Sequence, residues 1–151
     1  LIKHIKDLRE VMKKAKLRYP FHIDAVVVLP DHLHTIWTLP KEDADYPKRW
    51  MLIKSGFSRY IPKIEFRRKS RIHKGERGVW QRRYWEHLIR DERDYEQHVN
   101  YIHYNPVKHG YVAKAAEWEH SSIHYYIKSG IIDKNWGTAD LFQGDNYGER
   151  T

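Results

Sequence analysis

FHIDAVVVLPDHLHTIWTL, residues 21–39, holds two apolar, β-branched runs broken at Pro30-Asp31. Runs of that length and composition read as strands, and so short a break between them reads as a hairpin. The two strands, residues 21–29 and 32–39, are then antiparallel neighbours. Upstream, Ile2, Ile5, Leu8, Val11, Met12 and Ala15 recur at helical spacing with Lys and Arg opposite, so residues 1–18 read as an amphipathic helix that Pro20 ends. Downstream, Pro40 and the acidic residues 41–45 form a loop. Residues 46–60 read as a helix with Trp50, Ile53, Phe57 and Ile61 on one side.

Residues 62–78 are polar and carry Arg67, Arg68, Lys69, Arg71, Lys74 and Arg77, a basic loop that is either a solvated charge run or a DNA contact. VWQRRYWEHLI, residues 79–89, reads as a third strand. Asp91 caps a further helix with acidic residues in its first turn. Pro106 disfavours helical geometry at the preceding residue, so that helix is expected to end at Asn105. Residues 121–128 form a short helix closed by Gly130, and residues 137–151 a polar tail. No internal repeat is present. The order predicts an α+β sandwich, a central antiparallel sheet with packed helices, in a single domain over residues 1–136.

The 151 residues suffice for one domain with a real core. The 40% hydrophobic content argues against global disorder. A net charge of +8 and eleven histidines favour a polyanionic partner, nucleic acid before membrane. Aromatics at 14%, interleaved with Arg and Lys, suit single-stranded nucleic acid, although the same rings also fill cores. With no cysteine, disulfides and thiolate metal sites are excluded, and a reducing cytoplasm fits. No stretch approaches the roughly 20 apolar residues of a membrane helix.

Residues two apart on a strand share a face, so His32 and His34 project together beside the hairpin turn. Two neutral imidazoles suit a divalent ion and leave its charge intact for a phosphate. The pair alone is weak evidence and reads more readily as two half-exposed strand histidines. On the later helix, residues four apart also share a face, so Tyr101 and Asn105 point the same way. Tyr95, Val99 and Ile102 form the apolar stripe, with Asn105 at its edge. If the stripe packs on the sheet, Asn105 can bring its carboxamide to the histidines and Tyr101 stands beside them. His98 is a reserve ligand or proton carrier. Tyr104 is a rival nucleophile, but Lys108 lies four residues beyond it and is a poor ligand. Tyr101 taken alone also reads as a packing residue.

A phenol, with a pKa near 10, attacks phosphorus usefully only once deprotonated, and the phosphate must be polarised and held in line. Attack by Tyr101 would store the broken bond as a phosphotyrosine, so rejoining needs no ATP. Mg²⁺ prefers oxygen ligands, which leaves Mn²⁺ at least as plausible beside two histidines.

VVLPDHLH (residues 27–34) resembles the histidine-hydrophobic-histidine motif of single-tyrosine transposases, and YIHYNPVKHG (residues 101–110) resembles their nucleophile helix. WQRRYWEHLIRDERD (residues 80–94) and EWEHSSIHYY (residues 117–126) resemble the branch called REP-associated tyrosine transposases, relatives of insertion-sequence-200-like elements. The four blocks occur in order over most of residues 1–136. The resemblance implies a ferredoxin-like fold and Tyr101 as nucleophile. It also implies His32, His34 and Asn105 as ligands of Mg²⁺ or Mn²⁺. The implied reaction is cleavage of single-stranded DNA beside a hairpin through a 5′-phosphotyrosine, followed by strand transfer, in the bacterial cytoplasm near the nucleoid. The family opens with a glycine- and aromatic-rich strand. This chain starts at the helix that follows, so a trimmed first strand is expected.

Lys54, Arg59, Arg82 and Arg83 are candidate phosphate contacts, and each also reads as an ordinary surface cation. Trp80 and Tyr84 are candidate base-stacking rings, and in a strand about half such rings face the core. His87 is a candidate to assist a leaving group. Relatives act as monomers or dimers, and a monomer is expected. The rival functions are a catalytically silent DNA-hairpin-binding protein and a replication initiator or relaxase. The latter often place a second tyrosine and a third histidine differently.

Overall fold

The structure is a computed structural model that describes residues 1–63, 66 and 69–138. Arg67, Arg68 and most of the expected tail therefore lie outside the described residues. The α+β class expected from the sequence is what the chain adopts. It divides into two compact units, one of Leu1–Ile2, His22–Thr38 and Trp85–Thr151, the other of Lys3–Phe21 and Leu39–Tyr84.

In the first unit the hairpin forms as expected. Strands β1 (His22–Val28) and β2 (Leu33–Thr38) pair antiparallel, with Val27 opposite His34 and Val28 opposite Leu33. The Leu29 amide donates to the His32 carbonyl at 2.8 Å and closes the turn. The outer edge of β1 is covered. Val28 donates to the His120 carbonyl at 2.9 Å, and Val26 to the Ser122 Oγ at 2.9 Å. Ser122 returns its amide to the Val26 carbonyl at 2.8 Å. Backbone groups on that edge are thereby satisfied without a full third strand.

Helix α4 (Glu92–Lys108) packs on both strands. Ala25 and Val27 of β1, with Leu29 just beyond it, meet Val99 and Ile102 of α4 and Tyr126 of the last helix, Ile123–Lys128. A second cluster joins Tyr104 and Val107 of α4 to Ala115 and Ile123. Asp91 caps α4 as expected, accepting from the Asp94 amide at 2.8 Å. The expected end does not hold, because α4 continues through Pro106 to Lys108. Pro106 removes one backbone donor, yet its ring is fully buried and the turns beyond it close, with the His109 amide 3.0 Å from the Asn105 carbonyl. Tertiary packing overrides the local preference. His103 is wholly buried, its Nε2 2.9 Å from the Ser122 Oγ. Burial first, then the charge of His124, pushes its pKa down to about 4.

In the second unit, helices α1 (Ile5–Arg18) and α2 (Tyr46–Tyr60) pack together. Leu8, Val11, Met12 and Ala15 form the buried stripe of α1; Ile53 and Phe57 are buried on α2. Asp45 caps α2 by accepting from the Lys48 amide at 3.2 Å. Residues 69–73, expected as loop, form a short helix α3 (Lys69–His73). The last helix of the chain, Ile123–Lys128, is α5. The expected third strand over residues 79–89 is absent; the segment is irregular. Its aromatic content had suggested a strand, but the rings are used otherwise. Trp80 sets its ring edge-on to Phe57 at 5.4 Å and donates its Nε1 to the Lys54 carbonyl at 3.1 Å.

Candidate active site

The hairpin turn and the end of α4 bring four rings together in the first unit. His32 and His34 lie 5.1 Å apart, centroid to centroid, at an interplanar angle of 88°. The two rings meet, as their spacing suggested, although His32 stands in the turn just before β2 and only His34 lies on the strand. His34 meets Tyr101 edge-on at 5.5 Å. His32 also meets His109 at 5.3 Å. His109 was not singled out in the sequence, because the helix was expected to stop short of it. It follows Tyr101 by eight residues and Asn105 by four, so helical periodicity puts all three on one face.

Asn105 is fully buried between Tyr101 and His109 on that face. Tyr101 is 2% exposed, and the Lys108 ammonium donates to its Oη at 3.0 Å. Lys108 was read in the sequence only as a poor ligand for Tyr104; its contact with Tyr101 was missed. Tyr104, the rival nucleophile, is placed in the apolar cluster with Val107, Ala115 and Ile123. His98 is not beside the histidine pair. Its Nδ1 lies 3.2 Å from the Asp94 carboxylate, in a cluster with His87.

The donor set at the hairpin suits a divalent ion on local chemistry. The His32 Nδ1 is 2.7 Å from the Asp31 Oδ1. Against a carboxylate that nitrogen carries the proton, which makes Nε2 the lone-pair nitrogen. Metal-binding histidines use this arrangement to fix tautomer and ring orientation. The hydrogen bond from His32 in turn holds the Asp31 carboxyl below its ordinary pKa. Asn105 adds a buried amide and His109 a third imidazole, both compatible with Mn²⁺.

The candidate DNA contacts lie in the second unit. The Lys54 ammonium stands 4.8 Å from the Tyr84 ring centre and 5.9 Å from that of Trp80, and burial lowers its pKa. Tyr84 tilts on Trp50 at 5.9 Å. Trp80 and Tyr84 are thus half-buried packing rings that still flank a lysine. Arg82 pairs with Glu76 at 2.8 Å. Arg83 is exposed. Arg59 lines a groove between α1 and α2 with Lys14, Arg18 and Tyr60, a cationic feature that was not singled out in the sequence. Among the described residues no helix is long and apolar enough to cross a membrane.

Comparison with known proteins agrees with the four-block resemblance. Residues 2–105 match the family model described as Transposase IS200 like. A REP-associated tyrosine transposase of Escherichia coli strain K12 is 41% identical over 129 residues, covering 85% of this chain and 70% of the relative. A Haemophilus influenzae relative, named a putative REP-associated tyrosine transposase, is 44% identical over 139 residues, covering 91% of this chain and 78% of its own. A solved REP-associated tyrosine transposase bound to a REP hairpin superposes with a TM-score of 0.80 at 38% identity, over 99% of this chain and 81% of that one. With its paired histidines, late-helix tyrosine and these matches taken together, the chain belongs to the IS200-like transposase family, in the REP-associated tyrosine transposase branch.

Proposed function

We propose that this chain binds DNA hairpins of the REP type and cleaves and rejoins the adjoining single strand, with Tyr101 as nucleophile. The observation that carries this reading is the 5.5 Å contact between the Tyr101 and His34 rings. It sets a phenol beside the hairpin's histidine pair. His32, His34 and Asn105 would hold Mg²⁺ or Mn²⁺, and His109 stands within reach as a further ligand. When bound, the ion supplies polarisation of the scissile phosphate and neutralises charge in the transition state.

The chain's own residues do the rest. Lys108 fixes the Tyr101 oxygen and offers positive charge to it once its proton is gone. Tyr101 attacks phosphorus; the Tyr–O–P bond forms as the P–O3′ bond breaks. The oxygen leaves as a 3′-hydroxyl after taking up a proton, and the 5′-phosphate stays on the tyrosine. A 3′-hydroxyl attacking that ester reverses the balance and rejoins the strand. Tyr101 is almost fully covered, so the side chains over its hydroxyl must give way for a scissile phosphate to reach it. The basic groove of Lys14, Arg18 and Arg59 offers phosphate contacts.

The test is a labelled single-stranded oligonucleotide carrying a REP-type hairpin, incubated with the full chain and Mn²⁺ and run on a denaturing gel. A covalent protein–DNA band that disappears in Tyr101→Phe is expected. A shift seen only on native gels, with no covalent band, would replace this reading with that of a silent hairpin binder.

A further inference from the structure

The irregular segment before α4 carries a second group of metal-ligating side chains, separate from the hairpin. Asp94 lies in the first turn of α4, and His98 follows one turn later on the same face. His87 comes from the segment leading into the helix. The Asp94 carboxylate accepts from the His87 Nε2 at 2.8 Å and lies 3.2 Å from the His98 Nδ1. One donor atom from each of the three residues falls within 4.8 Å of the others. A tetrahedral site with bonds near 2.1 Å has edges of about 3.4 Å. The two histidine–carboxylate distances, 2.8 and 3.2 Å, are shorter than that edge, so the ligands need only spread slightly to admit an ion.

The rings are oriented as well as close. His87 and His98 stack at 4.5 Å with only 8° between planes. Trp85 lies nearly parallel to both rings, 5.7 Å from His87 and 5.9 Å from His98. Asp94 and His98 are buried, while His87 lies at the surface and gives an entry path. The charge balance is suitable too. The hydrogen bond from His87, ahead of those from Arg90, keeps the Asp94 carboxyl far below the usual carboxylate range. One carboxylate and two neutral imidazoles leave a divalent ion with one net positive charge. Arg90 now shares the carboxylate at 3.1 Å, but its side chain is 72% exposed and can turn to solvent.

We propose that His87, Asp94 and His98 form a second divalent-cation site, suited to Zn²⁺ by its two-nitrogen, one-oxygen donor set. Hard Mg²⁺ and Ca²⁺ fit two imidazoles poorly. Binding requires both His87 Nε2 and His98 Nδ1 to present lone pairs, so Nε2 gives up the proton it donates to Asp94, Nδ1 gives up its 2.7 Å contact with the Asp94 carbonyl, and each ring carries its proton on the other nitrogen. The ion would clasp the irregular segment from Trp85 to Arg90 onto α4, one helical turn ahead of Tyr101. Three protein ligands leave the fourth position for water or a DNA phosphate oxygen.

The test uses the full chain with both His32 and His34 changed to alanine, so that the hairpin site cannot contribute. Calorimetric titration with Zn²⁺ near neutral pH is expected to give one ion per chain at micromolar affinity, with a rise in melting temperature. His87→Gln in that background is expected to weaken binding by at least about tenfold. It keeps a hydrogen-bonding group at the surface, and circular dichroism checks that α4 is intact. Co²⁺ should give the intense visible bands of tetrahedral coordination, lost in His87→Gln. Absence of binding at submillimolar Zn²⁺, or binding that His87→Gln leaves unchanged, would overturn the site. Neither result touches the reading of Tyr101.

Discussion

The Lys108 Nζ sits 3.0 Å from the Tyr101 Oη and 4.8 Å from the centre of the same ring, joining two residues seven apart on α4. An ammonium so placed both orients the phenol and stabilises negative charge on its oxygen. Lys108→Ala is expected to slow covalent adduct formation by about 10²-fold while hairpin affinity changes little. Lys108→Arg keeps the charge and should recover part of the rate. If Lys108→Ala forms adduct at the parent rate, the lysine only covers the tyrosine.

His34→Ala is expected to reduce cleavage far more than binding, since the imidazole sits against the tyrosine and not in the basic groove. Adduct yield and native-gel affinity, measured on the same oligonucleotide, separate the two. His109→Ala tests the imidazole that meets His32. Loss of an accessory ligand should raise the Mn²⁺ concentration needed for half-maximal cleavage by roughly tenfold without abolishing it. Tyr104→Phe should keep the covalent band, because that ring packs among Val107, Ala115 and Ile123.

Arg59→Ala with Arg83→Ala is expected to weaken hairpin binding evenly across sequences. Phosphate contacts carry no base information, and each one lost should lower the salt slope of binding by about 0.7 for single strands. Affinities measured across a salt series decide it. A change confined to one hairpin sequence would argue for base readout instead.

The hairpin was legible because its two apolar runs and the Pro30-Asp31 break act locally, and α1, α2 and the α4 cap follow equally local signals. The end of α4 was not. Pro106 argues for a stop in sequence, yet its ring is buried and the helix runs on past it to Lys108. That one misreading concealed Lys108 and His109, the two residues that complete the neighbourhood of Tyr101 and His32. The segment over residues 79–89 failed for a different reason. Its rings have strand-like composition, but whether a run finds a pairing partner is a long-range matter that composition does not carry. Likewise the i, i+4 spacing of Asp94 and His98 is visible in sequence, whereas the approach of His87 depends on the path of an irregular segment.

Gly56 marks the closest approach of α1 and α2. A Cβ at this position would lie 2.8 Å from the Val11 Cγ1. Val11 is 5% exposed and stiff at χ1, so it yields poorly. Gly56→Ala gains about 1 kcal/mol in helix preference but meets an overpacking cost of roughly 1–3 kcal/mol. Net destabilisation of about 1 kcal/mol is expected by urea denaturation. With Val11→Ala in place the clash is gone, and the same change should become neutral or stabilising. A stabilising Gly56→Ala in the parent would mean the helices separate without cost.

Arg49 is 1% exposed and holds the start of α2 to the chain around it. Its guanidinium grips both Asp43 oxygens, at 3.1 and 2.6 Å, and donates to the Asp45 and Pro20 carbonyls at 3.0 and 2.7 Å. Lysine cannot reproduce the fork, and alanine removes all four of these hydrogen bonds at once. Arg49→Ala is expected to cost roughly 3 kcal/mol and Arg49→Lys less. The pair also sets an acid response. Hydrogen bonding to Arg49, foremost, lowers the Asp43 pKa to about 2. A carboxyl depressed in the folded state stabilises fully above its ordinary pKa and loses that contribution as pH falls through the folded value. The Asp43 share should therefore fade between about pH 4 and pH 2. Denaturation midpoints across that range should fall more steeply for the parent chain than for Arg49→Met. Parallel slopes would show that the ion pair contributes nothing to acid unfolding.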